Sequence, residues 1–445
     1  MVEGPALLVL TLGAVVLLLL LILLLRLHAF FSLLLVSMAL GLGSGMAPAR
    51  VLKSMQTGFG DALGFIAVVV SLGAVIGRLL EHSGGGRALA DWLLEKAGPK
   101  HAVWAVFFAA FLIGLPIFFE VGFIILVPLV YSLTRESGRS LLYFGLPVAA
   151  ALTVTHAMVP PHPAPAAAAQ LLGADMGKAI LYGALLSIPM ALTGGMGYGL
   201  WIARRMHVAA PESAPLAAAP PKETKDAPHP MLVALVLLLP VILIFAASVA
   251  DMRQAAGLAA YRFLGHPFTA LMTAALAAMA LFGLRRGLSR DGVLKLAEEA
   301  LKPLGGLLAI IGGGGAFKQI IVDSGAGAYG GKLLAESAVS PLVVAYLVAL
   351  ALRVAQGSAT VAIITAGGIV APLFKGIPGY SPEILLLALC AGGTALSHVN
   401  DAGFWLVNQC FGLSVPDTLR TWTVMKVITS AAGILLVLLA HRLLG

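Results

Sequence analysis

The sequence predicts an all-α polytopic membrane protein built from two inverted repeats, and three observations carry that reading. Of its 445 residues 60% are hydrophobic and 11% charged, with a mean hydropathy of +1.00. Apolar runs of about 18 residues or more recur along the chain, enough to cross a hydrocarbon core of roughly 30 Å. Residues 63–97 and 304–338 also read as two diverged copies of one unit at a constant offset of 241. Leu63, Gly64 and Gly73 match Leu304, Gly305 and Gly314, and Ser83, Gly84 and Gly86 match Ser324, Gly325 and Gly327. Thr155 and His156 face Ser397 and His398 at an offset of 242. Internal repeats of this kind are a sequence signature of secondary transporters.

Each half reads as three spanning helices, a re-entrant helical hairpin, a helix with a broken middle and a last spanning helix. In the first half these fall near 6–25, 29–43, 63–80, 102–135, 141–173 and 178–203. In the second they fall near 230–250, 267–284, 304–322, 342–374, 383–412 and 421–441. A hairpin that enters and leaves on one side leaves five crossings per half, and an odd number inverts the second repeat. Segments 86–97 and 326–337 mix charge with Leu, Trp and Ala and suit interfacial helices. Residues 1–205 and 230–445 are the two membrane repeats, joined by a Pro-, Ala- and charge-rich linker at 206–229 that cannot bury a core.

The first apolar run is not expected to be a cleaved signal, because Glu3 and no Lys or Arg precedes it and the run is too long. Cys390 and Cys410 are too few for a disulfide framework. The net charge of +8 is scattered between apolar runs, which excludes a nucleic-acid face. It reports topology instead. A cytoplasmic linker places Arg78, Arg87, Lys96, Lys100, Arg135, Arg139, Arg204, Arg205, Arg285, Arg286, Arg290 and Lys295 inside. Arg50, Lys53, Lys178, Arg253, Arg262 and Lys375 are then outside, as the positive-inside rule asks.

The chemistry is expected at four interruptions of apolar helix. The first hairpin turns through GLPIFFEVGF, where Glu120 is a carboxylate at membrane depth, costly unless it faces a cavity or partner. The second hairpin reads RVAQGSATVAIITAGG, where Gln356, Gly357, Ser358 and Thr360 offer neutral polar groups and a close-approach backbone position. Residues 155–165 read THAMVPPHPAP, a proline cluster that cannot continue a helix. Residues 397–403 read SHVNDAG, with Ser397, His398, Asn400 and Asp401 within five positions. Broken helices expose N-termini that favour an anion near the midplane.

Together GLPIFFEVGFIILVPLVY, HAMVPPHPAPAAAAQLLGADMGKAILYG, RVAQGSATVAIITAGGIVAP and SHVNDAGFWLVNQCFGLSVPDTLRTWTV resemble the hallmark blocks of the gluconate permease family. The resemblance covers most of the chain outside the linker, with small departures at Met158, Ala164 and Ala402. It implies a bacterial inner-membrane symporter of the ion transporter superfamily that imports gluconate or a related sugar acid with protons. It also implies a homodimer in which a scaffold holds an elevator-type transport domain of hairpins and broken helices.

On this reading the substrate carboxylate sits against helix N-termini and the polar groups of Gln356, Gly357, Ser358, Thr360, Ser397 and Asn400, and its hydroxyls meet Thr155 and His156. Arg353 is the one Lys or Arg inside the four short interruptions, so dipoles and neutral donors are expected to carry binding. Glu120, Asp401, His398 and His162 are the expected proton carriers, with His156 a further candidate. Glu120 could instead pair with Arg353, Asp401 could only cap a half-helix, and each histidine could simply satisfy a freed carbonyl. A sodium-coupled carboxylate transporter would share the architecture. A channel would need a continuous polar pore, and an intramembrane enzyme a motif such as HExxH or G-x-S-x-G, which is missing. No catalytic residue, metal or cofactor is therefore expected. The glycines at Gly312–Gly315 read as close helix packing, since no Lys-Ser or Lys-Thr follows them.

Overall fold

The structure is a computed structural model that describes residues 2–211, 227–252, 257–336, 339–374 and 379–444. Most of the linker, and Arg253 and Lys375 of the charge pattern, lie outside the described residues. Every regular element among the described residues is helical. The first half runs α1 (Pro5–Leu23), α2 (Ala29–Gly43), α3 (Pro48–His82), α4 (Gly85–Ala97), α5 (Ala102–Gly114), α6 (Phe119–Ser137), α7 (Leu141–Met158), α8 (Pro163–Leu172), α9 (Met176–Ala191) and α10 (Gly199–Arg205). The second runs α11 (Pro230–Met252), α12 (Leu258–Leu264), α13 (Pro267–Ala278), α14 (Arg290–Leu301), α15 (Leu304–Asp323), α16 (Ala326–Glu336), α17 (Pro341–Gln356), α18 (Ala359–Phe374), α19 (Pro382–Gly393), α20 (Ala402–Phe411), α21 (Val415–Thr418) and α22 (Val424–Leu444). From α16 onward these helices begin 239 to 241 residues after α4 to α9.

Eight helical segments among the described residues are long and apolar enough to cross a membrane. Two of the ten expected crossings fall short of that length. Helix α2 has 15 residues, about 22 Å at 1.5 Å each, and α19 is separated from α20 by residues 394–401. Helix α3 is much longer than the expected 63–80, and its counterpart is split into α14 and α15 before Pro303. The expected interfacial stretches are helical, α4 meeting the next helical segment at a 117° bend.

The breaks follow local chemistry. Helix α7 runs through Met158, and only residues 159–162 are unwound. Pro163 then opens α8, where a missing N–H costs nothing. Two of the four prolines thus start a helix instead of breaking one. In the second half the chain unwinds from Thr394, with Leu396 at φ +36, until Asp401 accepts from the Gly403 N–H at 3.1 Å and caps α20. Gly357 ends α17 in the left-handed region at φ +73.

Glycines let two of the helices approach closely. Helix α15 lies on α2, α3 and α18. A Cβ on Gly315 would strike the Gly58 carbonyl, and one on Gly58 the Gly315 carbonyl. The Gly312–Gly315 run is therefore a helix contact, as in other membrane bundles. Each hairpin leans on a broken helix: α5 and α6 on α7, and α17 and α18 on α19, with α18 also against α8.

Candidate functional site

The hairpin tips rest on the breaks through polar contacts. In the first half His162 Nε2 donates to the Gly114 carbonyl at 2.5 Å. In the second, the Val354 carbonyl accepts from His398 Nε2 at 3.1 Å and from Asn400 Nδ2 at 2.9 Å. Any side chain on Gly357 would run into the Asn400 carbonyl. Both histidines satisfy carbonyls freed where helices end.

One cavity of about 280 Å³ collects the charged interruptions, a volume at the lower end for small-molecule sites. The first half lines it with Phe119, Glu120, Thr153 and His156. The second supplies Arg353, Gln356, Gly357, Ser358, Thr360, Asn400, Asp401, Trp422 and Lys426. The opening residues of α6, α18 and α20 all face it, so three helix N-termini converge there. Asp401 already caps α20 and Ser358 α18, and the positive dipole ends that remain make such a cavity a favourable place for an anion.

Within the wall the polar groups are partly committed. Arg353 is 2% exposed; it pairs with Asp401 and donates from Nε to the Ala395 carbonyl at 3.1 Å. Asp401 also accepts from the Ser397 hydroxyl, and Ser397 in turn accepts from Trp422 Nε1 at 2.7 Å. Phe119 stacks on Trp422 with ring centroids 5.5 Å apart. His156 Nε2 lies 3.4 Å from Thr360 Oγ1, joining the halves. Arg353 Nη1, both amide atoms of Gln356 and His156 Nδ1 are buried without a partner. Such groups are costly unless something else completes them. Glu120 is exposed to the cavity and makes no ion pair among the described residues.

Of the expected residues, Glu120, His156, Gln356, Gly357, Ser358, Thr360, Asn400 and Asp401 are brought together. Thr155, Ser397, His162 and His398 are not on the wall. Thr155 is fully buried, with its hydroxyl bonded back to Ala151 and Leu152 and set against Gly114. Ser397 lies one layer behind, holding Asp401 and Trp422. His162 lines a separate crevice of about 10 Å³ with Phe118 and Pro163. Only the second break opens on the cavity; the first half reaches it through α6 and the last turns of α7. The alternative pairing of Glu120 with Arg353 does not occur, since Asp401 takes that place.

Sequence reasoning missed Thr153, Phe119, Trp422 and, above all, Lys426. Arg353 is the one Lys or Arg in the four interruptions, as read, but the cavity does not rest on dipoles and neutral donors alone, since Lys426, outside them, is 3% exposed and lines the same wall. A widened π turn at Leu419–Thr423 leads into α22, and Trp422 and Lys426, four residues apart, both reach the cavity. An intramembrane lysine is itself a functional signal, and it stood in plain view inside the last apolar run.

A multi-pass helical bundle whose hairpin tips and broken helix enclose a charged, helix-capped cavity has the build of a membrane transporter, not an enzyme. Comparison with known proteins agrees. Residues 6–443 match the model of the GntP family permeases. The chain is 43% identical to a gluconate permease of Pseudomonas aeruginosa over 411 residues, 91% of each chain. It is 40% identical to the high-affinity gluconate transporter of Escherichia coli, covering 93% and 94% of the two chains. It is 37% identical to the Gnt-II system L-idonate transporter of the same organism, again over 93% and 94%. Among solved structures it resembles the Alcanivorax borkumensis YdaH transporter with a TM-score of 0.68 at 17% identity, over 92% of this chain and 96% of that one. The chain belongs to the GntP permease family.

Proposed function

We propose that the protein is a proton-coupled symporter that takes up gluconate or a closely related sugar acid across the bacterial inner membrane. The observation that carries this reading is the single cavity where three helix N-termini, two cations and an unpaired carboxylate meet. Relatives at 37–43% identity named for gluconate and L-idonate support an aldonate as its occupant.

Substrate hydroxyls meet Gln356, Ser358, Thr360, Asn400 and His156, and the unpartnered Gln356 amide and His156 Nδ1 suit a polyhydroxylated chain. Gly357 gives the close backbone approach. Thr155 and Ser397 shape the wall from behind. Glu120 is the proton carrier: it faces the cavity and has no fixed counter-ion, so it can exchange a proton as the cavity changes sides. Asp401 is held by Arg353, Ser397 and the Gly403 N–H, and acts as the strut that fixes Arg353 and α20. His162 and His398 brace the hairpin tips. Each proton entering down a 100 mV potential adds about 2.3 kcal/mol to accumulation.

The architecture proposed is two inverted repeats, 1–205 and 230–445, joined by a cytoplasmic linker at 206–229. The hairpins and broken helices form an elevator-type transport domain on a scaffold within a homodimer. The test of substrate and coupling is uptake of labelled gluconate into proteoliposomes under an inward proton gradient without sodium, with unlabelled sugar acids as competitors. Gluconate accumulation that collapses with a protonophore supports the reading. Accumulation that needs sodium at fixed pH, or none except of an unrelated carboxylate, refutes it.

A further inference from the structure

Lys426 is the cavity's odd member. Its side chain is almost wholly buried, four residues beyond Trp422, and its ammonium lies 5.7 Å from the centre of that indole ring. That distance is at the edge of a useful cation–π contact. Among the described residues it has no carboxylate or hydrogen-bond partner, and at 3% exposure it does not snorkel to the aqueous phase. An ammonium carries three donors and, away from water, is costly until an anion completes it.

The other charges around it can be counted. Arg353 and Asp401 form a pair and cancel. Glu120 and Lys426 remain, and His156 supplies a neutral ring when uncharged. With Glu120 ionised the empty cavity is neutral. With Glu120 protonated its net charge is +1, which one carboxylate neutralises and two would overshoot.

Resting on the uptake reading above, we propose that Lys426 is the residue that recognises the substrate carboxylate, and that it sets the ligand class as hydroxy acids with a single negative charge. Arg353 Nη1 and the Gln356 amide, both unpartnered on residues of the same wall, complete the recognition of the carboxylate and its neighbouring hydroxyl. Binding of the anion at Lys426 and protonation of Glu120 then favour one another, because each alone leaves the cavity charged.

The test compares gluconate, its uncharged amide and the dianionic glucarate as inhibitors of gluconate uptake by the intact protein and by Lys426→Gln and Lys426→Arg. In the parent, gluconate is expected to inhibit at least about tenfold more strongly than either analogue. Lys426→Gln should raise the KM for gluconate about thirtyfold or more, leave inhibition by the amide within about threefold, and erase the preference for gluconate over the amide. Lys426→Arg should recover most of the affinity. Equal inhibition by gluconate and glucarate in the parent overturns the proposal without any variant. So does a Lys426→Gln protein whose KM is unchanged, or in which acid and amide weaken alike, while gluconate uptake by the parent still stands. Failure of the parent to take up any sugar acid removes both this inference and the function on which it rests.

Discussion

At Gly357 the backbone sits at φ +73 and any Cβ would meet the Asn400 carbonyl, so two requirements coincide at one position. Gly357→Ala is expected to cost about 1–3 kcal/mol and to lower uptake sharply, because it pushes the hairpin tip off the second break. Thermal unfolding in detergent, read beside uptake, checks both. His162 and His398 offer a contrast. Each donates to a freed carbonyl, at 2.5 and 3.1 Å, so replacement by Gln should lower stability by about 1–3 kcal/mol. The pH profile of uptake should stay where it is; a profile that moves would make them proton carriers after all. The sequence made the breaks legible because proline clusters and the SHVND run are rare in apolar surroundings. It did not show which side of a helix faces inward. Thr153 and His156 are three residues apart on α7 and share the cavity, whereas Thr155 points to Gly114. Helical spacing within THAMV and its preceding turn held that information, but only once the cavity side was known.

Among the elements, the α3–α15 crossing depends on bare backbone. Gly58 and Gly315 meet so closely that Gly315→Val should force the helices apart and cost several kcal/mol, with loss of folded protein in detergent as the readout. An unchanged melting temperature would show the crossing to be plastic. Eight of the long apolar spans, and the interruptions that break them, were legible from the apolar runs. Two features were not. The unwound stretch at 159–162 is shorter than the proline cluster, because Pro163 and Pro165 fall in the first turn of α8, where proline is tolerated. The π turn at Leu419–Thr423 has no strong sequence mark, so the approach of Trp422 and Lys426 to the cavity stayed hidden in what read as a plain spanning helix.

For the whole molecule, the proposed inversion of the two halves has a direct consequence. Helices α5 and α17 begin 239 residues apart in the chain, and inverted repeats place those beginnings on opposite faces of the membrane. Cys390 and Cys410 are buried and can be replaced by Ala to give a background for single cysteines. Lys100→Cys should then react with an impermeant thiol reagent only from the cytoplasm, and Ser340→Cys only from outside. Labelling of both from one side would end the inverted plan while leaving the family and the cavity in place. If the cavity moves a sugar acid together with a proton held by Glu120, as proposed, one comparison decides it. Parent and Glu120→Gln proteoliposomes are given gluconate under an inward proton gradient, and both uphill accumulation and gluconate–gluconate exchange are followed. The parent should do both, while the variant should exchange gluconate yet fail to accumulate it. A variant that still accumulates gluconate as the parent does would take Glu120 out of the proton's path.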